Sequence, residues 1–119
     1  MRKIVFRGKD VNSGEWRYGH LFTILQGAFT VIGDGENCCQ VDPETVGQYT
    51  GIDNRGGEMI FEGDVVKMEL TGELYAVSFS SGTYLVAPAY PLHYWHGRCD
   101  IVGNIYDNPD LMEGETTWN

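Results

Sequence analysis

The sequence is short of basic residues, cysteines and long apolar runs, and each shortage excludes a class of protein. It has 8 Lys and Arg residues against 17 Asp and Glu residues, for a net charge of -9 at pH 7. Nucleic-acid-binding proteins neutralise phosphates with Lys and Arg, so nucleic acid is a disfavoured partner. The 3 cysteines are an odd number, and Cys38 and Cys39 are adjacent, unlike the paired cysteines of a small secreted domain.

No apolar stretch approaches the roughly 18 residues that a membrane span needs. The chain opens MRKIVFR, whose apolar segment is too short for a signal peptide. We therefore expect a cytoplasmic protein without membrane contact. With 119 residues the chain is long enough to fold as one domain around its own core. We expect no cofactor, since folding does not require one.

The sequence is rich in glycine, with 16 residues, and in short apolar runs separated by turn signals. This pattern predicts a mainly β protein. In residues 1–42, a strand over Lys3–Arg7 and a hairpin with its turn at Gln26 and Gly27 predict an antiparallel meander. Adjacent residues of a strand point to opposite faces, so one of Cys38 and Cys39 is expected in the core and the other at the surface.

The segment 43–64 departs from strand alternation, and we interpret it as an ordered loop with one helical turn after Pro43. From residue 65 to 119 the runs GDVV, AVSF and TYLV, separated by glycine turns, favour a small, bent SH3-like barrel. Asn108 and Pro109 have the N-cap and first-position chemistry of a short C-terminal helical turn. The whole chain, 1–119, is expected to be a single domain.

Three blocks of sequence resemble the YopX family of phage and prophage proteins. The central VDPETVGQYTG, followed by a polar hairpin and IFEGDVVKM, is similar to the family's most characteristic segment. DIVGNIYDNPDLM resembles its C-terminal signature, and KIVFRGKD with EWRYGHL is a weaker match. The resemblance implies a mainly β, oligomeric protein encoded by a phage or prophage, acting in the host cell cytoplasm.

The resemblance supplies no catalytic residue, so we expect no enzyme activity. The matched positions have residue types that favour structural roles, with glycines at corners and Asp42 or Thr45 as a cap. These positions are Asp42, Pro43, Glu44, Thr45, Val46, Gly47, Gln48, Tyr49, Thr50, Gly51, Glu62, Gly63 and Asp64.

Three groups of residues have side chains capable of chemistry. His93, His96 and Cys99 are ligand types suited to zinc, but Pro91 and Gly97 favour an aromatic loop over a helix that would align them. Cys38 or Cys39 with His20 would make a thiol nucleophile and base, although nothing in the sequence links them. The carboxylates Asp42, Glu44, Glu62 and Asp64 are interpreted as solvated loop charges.

The segment PAYPLHYWHGR concentrates the residue types enriched at protein contacts. We predict an interaction patch of Tyr90, Tyr94, Trp95, His96 and Arg98. It would serve a homo-oligomer or a host or phage protein. The alternative is a nucleic-acid-binding small β-barrel, in which aromatic rings stack on bases.

Overall fold

The computed structural model describes residues 4–33, 37–80, 83–87 and 90–113. Over these ranges the chain is mainly β with antiparallel pairing, and it ends in a short helix, so the predicted fold class is confirmed. Its strands are β1 (Phe6–Lys9), β2 (Trp16–Ile24), β3 (Phe29–Gly33), β4 (Cys38–Gln40), β5 (Gly47–Asp53), β6 (Met59–Phe61), β7 (Asp64–Met68), β8 (Leu74–Ala76), β9 (Ser78–Ser80), β10 (Thr83–Ala87), β11 (Tyr90–Pro91) and β12 (Cys99–Asn104). Its helices are α1 (Leu92–Trp95) and α2 (Asp110–Glu113).

The chain divides into two compact units, Met1–Tyr49 and Thr50–Asn119. In the first unit the strand order is β4-β3-β2-β1-β5. Consecutive strands β1, β2 and β3 pair antiparallel, so the predicted meander is confirmed. Among the described residues the first strand begins at Phe6, and Lys3, where the predicted strand begins, lies outside them. The hairpin turn includes Leu25 and Ala28 as well as the expected Gln26 and Gly27.

A backbone bridge between Asp10 and Val41 closes strands β1 to β4 into a ring. The Asp42 amide donates to the Lys9 carbonyl at 2.8 Å, and the Val11 amide donates to the Gln40 carbonyl at 3.1 Å. Val41 is 1% exposed inside this ring. A Cβ at Gly8 would lie 3.0 Å from the Val41 side chain, so the glycine allows a close approach that a larger residue would crowd. The sequence pattern did not predict this closure.

The segment 43–64 is not a loop, and that prediction was wrong. Its one predicted helical turn is present as the 3-10 turn Pro43–Thr45, where the Glu44 amide donates to Asp42 Oδ1 at 3.0 Å. Strands β5 and β6 follow. Tyr49 is 7% exposed and Thr50 is 3% exposed in β5, so burial and strand pairing override the weak strand propensity of the glycines and amides around them.

In the second unit, β5 continues from Thr50 and neighbours β6, and two further sheets have the orders β12-β7-β8 and β11-β10-β9. The SH3-like barrel stays a prediction. The Leu111 amide donates to the Asn108 carbonyl at 3.1 Å where α2 begins, at the predicted position. The core of this unit contains Ile60, Val66, Met68, Tyr75, Val77, Tyr84, Val86, Leu92 and Cys99. No helix in the described ranges has the length and apolar character to cross a membrane.

Candidate protein-interaction site

The aromatic segment before β12 is helical, so the prediction of a loop was wrong here. Helix α1 is followed by the 3-10 turn His96–Arg98, and the His96 amide donates back to the Leu92 carbonyl. Pro91 precedes the first turn in an extended conformation, where its missing amide costs no helical hydrogen bond. Leu92 is 0% exposed and anchors the turn in the core. Core burial of one leucine therefore decides the local structure.

The predicted patch residues differ widely in exposure. Tyr94 is 74% exposed, and Arg98 is exposed as well. Trp95 is half-buried and packs against the core. His96 Nδ1 lies 2.9 Å from the Asp53 carbonyl oxygen, which can only accept, so Nδ1 carries the proton. The side chain of Tyr90 lies outside the described part of the structure.

Trp95 and Arg98 border a small cavity that the sequence did not predict. Its volume is about 90 Å³, and it is lined by Met68, Leu70, Thr71, Glu73, Tyr75, Trp95 and Arg98. Leu70 is 70% exposed at this cavity, although it is a large apolar residue in a turn. The one sequence signal for this exposed position was that Leu70 is an apolar residue between the polar Glu69 and Thr71. We call Leu70, Tyr94, Trp95 and Arg98 the α1 surface.

In the same unit, one guanidinium pairs with two carboxylates. Arg55 Nη2 lies 2.9 Å from Asp100 Oδ2, and Arg55 Nε donates to Asp100 Oδ1 at 3.2 Å, a two-bond pairing. Arg55 also pairs with Glu69. The Glu69 amide donates to the Arg98 carbonyl at 2.8 Å, which fixes the backbone beside the cavity. The charge of Arg55 is therefore committed to carboxylates of its own chain.

The zinc candidates His93, His96 and Cys99 do not form a ligand set. Cys99 is 0% exposed, and its Sγ donates to the His96 carbonyl at 3.7 Å. Burial, followed by the negative charge of Asp100, raises the pKa of the Cys99 thiol to about 11, which opposes the thiolate that a metal needs. The His93 ring lies 4.6 Å from the Tyr94 ring. Among the described residues, no three His, Cys, Asp or Glu side chains converge on a possible metal position.

The thiol and base candidates are separated by a packed ring. His20 and Cys38 both pair with Gly33, on opposite sides of β3, so they lie two strand spacings apart, about 10 Å. A ring carbon of Phe22 approaches within 3.3 Å of where a Cβ on Gly33 would be, and so occupies the space between them. Cys38 is exposed and Cys39 is half-buried, which partly matches the expected alternation.

Two of the candidate carboxylates have structural roles. Asp42 caps the 3-10 turn, as described above. Asp64 is 3% exposed, and its Oδ2 accepts a hydrogen bond from the Phe61 amide at 2.7 Å. Gly63, between Glu62 and Asp64, has a φ of 90°, and a Cβ there would lie 3.1 Å from the Tyr106 ring. The EGD corner is therefore specified by backbone geometry and packing.

Comparison with curated proteins gives no match. Among solved structures, the chain is similar to protein EF1440 from Enterococcus faecalis, with a TM-score of 0.57 and 18% sequence identity. The similarity covers 94% of this chain and 99% of that one, and at this identity it shows a shared fold.

The YopX protein family matches residues 5–113. That range contains the central and C-terminal blocks on which the resemblance was based, and it takes in all of the strands described above. The chain belongs to the YopX family.

Proposed function

We propose that this chain is a phage- or prophage-encoded accessory protein that acts in the host cytoplasm as a non-catalytic, oligomeric protein-interaction module. The observation that carries the proposal is the α1 surface. Tyr94 is 74% exposed and Leu70 is 70% exposed, while Trp95, which follows Tyr94 and lines the same cavity as Leu70, packs against the core. Large apolar side chains held out in water by a fixed backbone are a feature of contact sites.

The α1 surface contacts another phage or host protein. Tyr and Trp give a large contact area at a low cost in side-chain entropy, and Arg98 adds a planar donor at the edge. The cavity of about 90 Å³ beside Trp95 has room for one aliphatic side chain of the partner. A partner that inserts an apolar residue between Leu70 and Trp95 therefore fits this site.

Charge favours a protein over nucleic acid at this surface. The unit Thr50–Asn119 contains three basic and eleven acidic residues, a net charge of -8. One of its three bases, Arg55, is paired with Asp100 and Glu69. A phosphate backbone approaching this unit would meet a surplus of negative charge.

Affinity capture from phage-infected cells tests the proposal, with Tyr94→Ala and Leu70→Ala as probes and Phe79→Ala as the matched control. Phe79 is an aromatic of the same unit, 52% exposed, and it does not line the cavity. We expect wild-type protein and the control to retain the same partner. The two probes should lower its affinity at least tenfold, as expected for contact residues near the centre of an interface.

Equal capture by all four proteins would contradict the assignment of the α1 surface. Material released by nuclease treatment, and lost at high salt, would support the nucleic-acid alternative instead. Thermal unfolding of each variant serves as the folding control, because substitutions at exposed positions are expected to change the free energy of unfolding by no more than about 0.5 kcal/mol.

A further inference from the structure

We propose that Cys39 is a modification site, at which exchange with a low-molecular-weight disulfide attaches a small thiol to the protein. This site is separate from the α1 surface and belongs to the unit Met1–Tyr49. It is a cavity of about 510 Å³ at the end of strand β3, which we call the β4 cavity. The chemically relevant residues that line it are Trp16, Arg17, Tyr18, Asn37, Cys38 and Cys39.

Strand pairing gives the two neighbouring cysteines different surroundings. Cys39 pairs with Ile32, which is 2% exposed, and Cys38 pairs with Gly33. Paired residues of antiparallel strands share a face, so Cys39 lies on the side of β4 that carries buried Ile32. Cys39 is half-buried, whereas Cys38 is exposed. The sulfur of Cys39 is therefore the more sheltered of the two beside the β4 cavity.

Arg17 supplies a fixed positive charge beside Cys39. Its Nε donates to Oδ2 of Asp10 at 3.0 Å, and Asp10 is only 8% exposed. A second carboxylate, that of Glu15, lies 3.7 Å from Nη1 but is well exposed to solvent. Arg17 also interacts electrostatically with the Cys39 thiol. A cation in this position stabilises the negative charge that a sulfur carries when it attacks a disulfide.

The arrangement of the cysteines favours an external disulfide over an internal one. All three are free thiols, and Cys99 is 0% exposed. Cys38 and Cys39 are consecutive, so their Cα atoms lie about 3.8 Å apart, whereas a disulfide usually joins Cα atoms roughly 4.4–6.8 Å apart. Their side chains also point to opposite faces of β4. A small thiol bound to Cys39 has room in the β4 cavity, whose volume is typical of small-molecule sites.

The modification is a single thiol–disulfide exchange. Cys39 gives its proton to water, and its sulfur attacks one sulfur of the small disulfide. A new S–S bond forms to Cys39 as the S–S bond of the reagent breaks. The other half of the reagent leaves as a thiolate and takes up a proton. Cys39 is thereby oxidised and one half of the reagent is reduced, so no further oxidant is needed.

Incubation of the full chain with oxidised glutathione tests the site, with Cys39→Ser as the probe and Cys38→Ser as the matched control. Tandem mass spectrometry of the proteolytic peptide distinguishes adducts on the two neighbouring sulfurs. We expect wild-type protein and Cys38→Ser to gain one adduct each, on Cys39, at similar rates. Cys39→Ser should gain adducts at least tenfold more slowly. Faster modification of Cys38 than of Cys39 would overturn the proposal.

A second set of variants tests the charge beside the sulfur. Arg17→Gln should slow the modification of Cys39 at least threefold, and Arg17→Lys, which keeps the charge, should restore most of the rate. Lys67→Gln also removes one positive charge, at an exposed position of the other unit, and should leave the rate unchanged. Equal rates in Arg17→Gln and wild-type protein would contradict the role of Arg17. If Cys39→Ser fails to fold, the ratio of adducts on Cys38 and Cys39 in wild-type protein decides the matter.

Discussion

At the scale of single residues, Asp10 organises the turn between β1 and β2. Its Oδ1 accepts hydrogen bonds from the amides of Asn12 at 2.8 Å and Ser13 at 3.2 Å, and its Oδ2 accepts from Arg17 Nε at 3.0 Å. The two backbone amides, followed by Arg17, hold the pKa of this carboxyl below its usual value. The ionised Asp10 carboxyl is therefore more stable in the folded protein than in the unfolded chain.

We predict that Asp10→Asn lowers the thermal unfolding temperature at pH 7 and that this difference shrinks in acid. Because the folded pKa is depressed, the stabilisation is fully present above the unfolded value of 3.8 and is lost as the pH falls through the folded value. Melting curves of both proteins from pH 7 to pH 2 measure the effect. A gap that stays constant with pH would show that ionisation of Asp10 is not its cause.

The sequence predicted some residues of the α1 surface correctly and missed others. The exposure of Tyr94 and Arg98 was predictable, because aromatic and basic residues cluster directly after Pro91. Leu70 was missed, since it lies more than twenty residues away in sequence, and only the fold brings it to the cavity beside Trp95. Trp95 was predicted as part of the contact patch, but it is half-buried and packs against the core.

At the scale of elements, the β2–β3 turn contains conformational strain. Leu25 and Gln26 have φ values of 51° and 56°, and Gly27 has a φ of 88°. For residues other than glycine, this left-handed conformation costs about 1–2 kcal/mol of conformational energy per residue. The Ala28 amide donates to the Leu25 carbonyl at 3.1 Å, so the turn is held closed despite that cost.

We predict opposite effects on stability from neighbouring substitutions in this turn. Gln26→Gly should raise the free energy of unfolding by about 0.5–1 kcal/mol, because relief of strain exceeds the entropy that glycine loses on folding. Gly27→Ala should lower it by about 1 kcal/mol through φ alone, since no atom lies within 4 Å of the added Cβ. Chemical denaturation measures both, and changes of the same sign would contradict the turn geometry.

Elements were predictable where local signals agreed with tertiary pairing. Asp42 and Asn108 are capping residues by type, and helical turns begin beside both. The segment 43–64 was misread because its glycines and amides lack strand character, whereas pairing with β1 makes Gly47 and Gln48 part of a strand. The segment from Leu92 was predicted as a loop because its two prolines and one glycine disfavour a helix. The burial of Leu92, which stabilises the helical turn, is not visible in the sequence pattern.

At the scale of the whole molecule, charge is divided unequally between the units, -1 against -8. Two copies of this chain, each with a net charge of -9, repel one another. Added salt then acts mainly on the repulsion between the acidic units of the two copies. The Debye length of the solution, the distance over which charges act on one another, falls from about 10 Å at 0.1 M salt to about 3 Å at 1 M salt.

We therefore predict that self-association strengthens several-fold between 0.1 M and 1 M sodium chloride. Sedimentation at the two concentrations measures the change in dissociation constant. Association that weakens with salt would point to attraction between charged groups at the interface.

The whole architecture was only partly accessible from sequence. Alternation and turn residues predicted a mainly β chain, because they act through neighbours along the chain. Ring closure by Asp10 and Val41 joins residues 31 positions apart and leaves no local signature. Gly8, which lets the chain approach Val41, is the sequence feature most closely tied to this closure. A glycine at the end of a predicted strand, however, does not distinguish a turn from close packing.

The Asp10–Val41 bridge has a consequence for aggregation. A sheet edge with free amides and carbonyls is a template on which strands of other chains can add. In this unit the Gln40 carbonyl and the Asp42 amide are already bonded to Val11 and Lys9, so the outer side of β4 is occupied at the end where it meets β1. The closed ring thus protects this end of a short, uncharged strand from fibril-like growth.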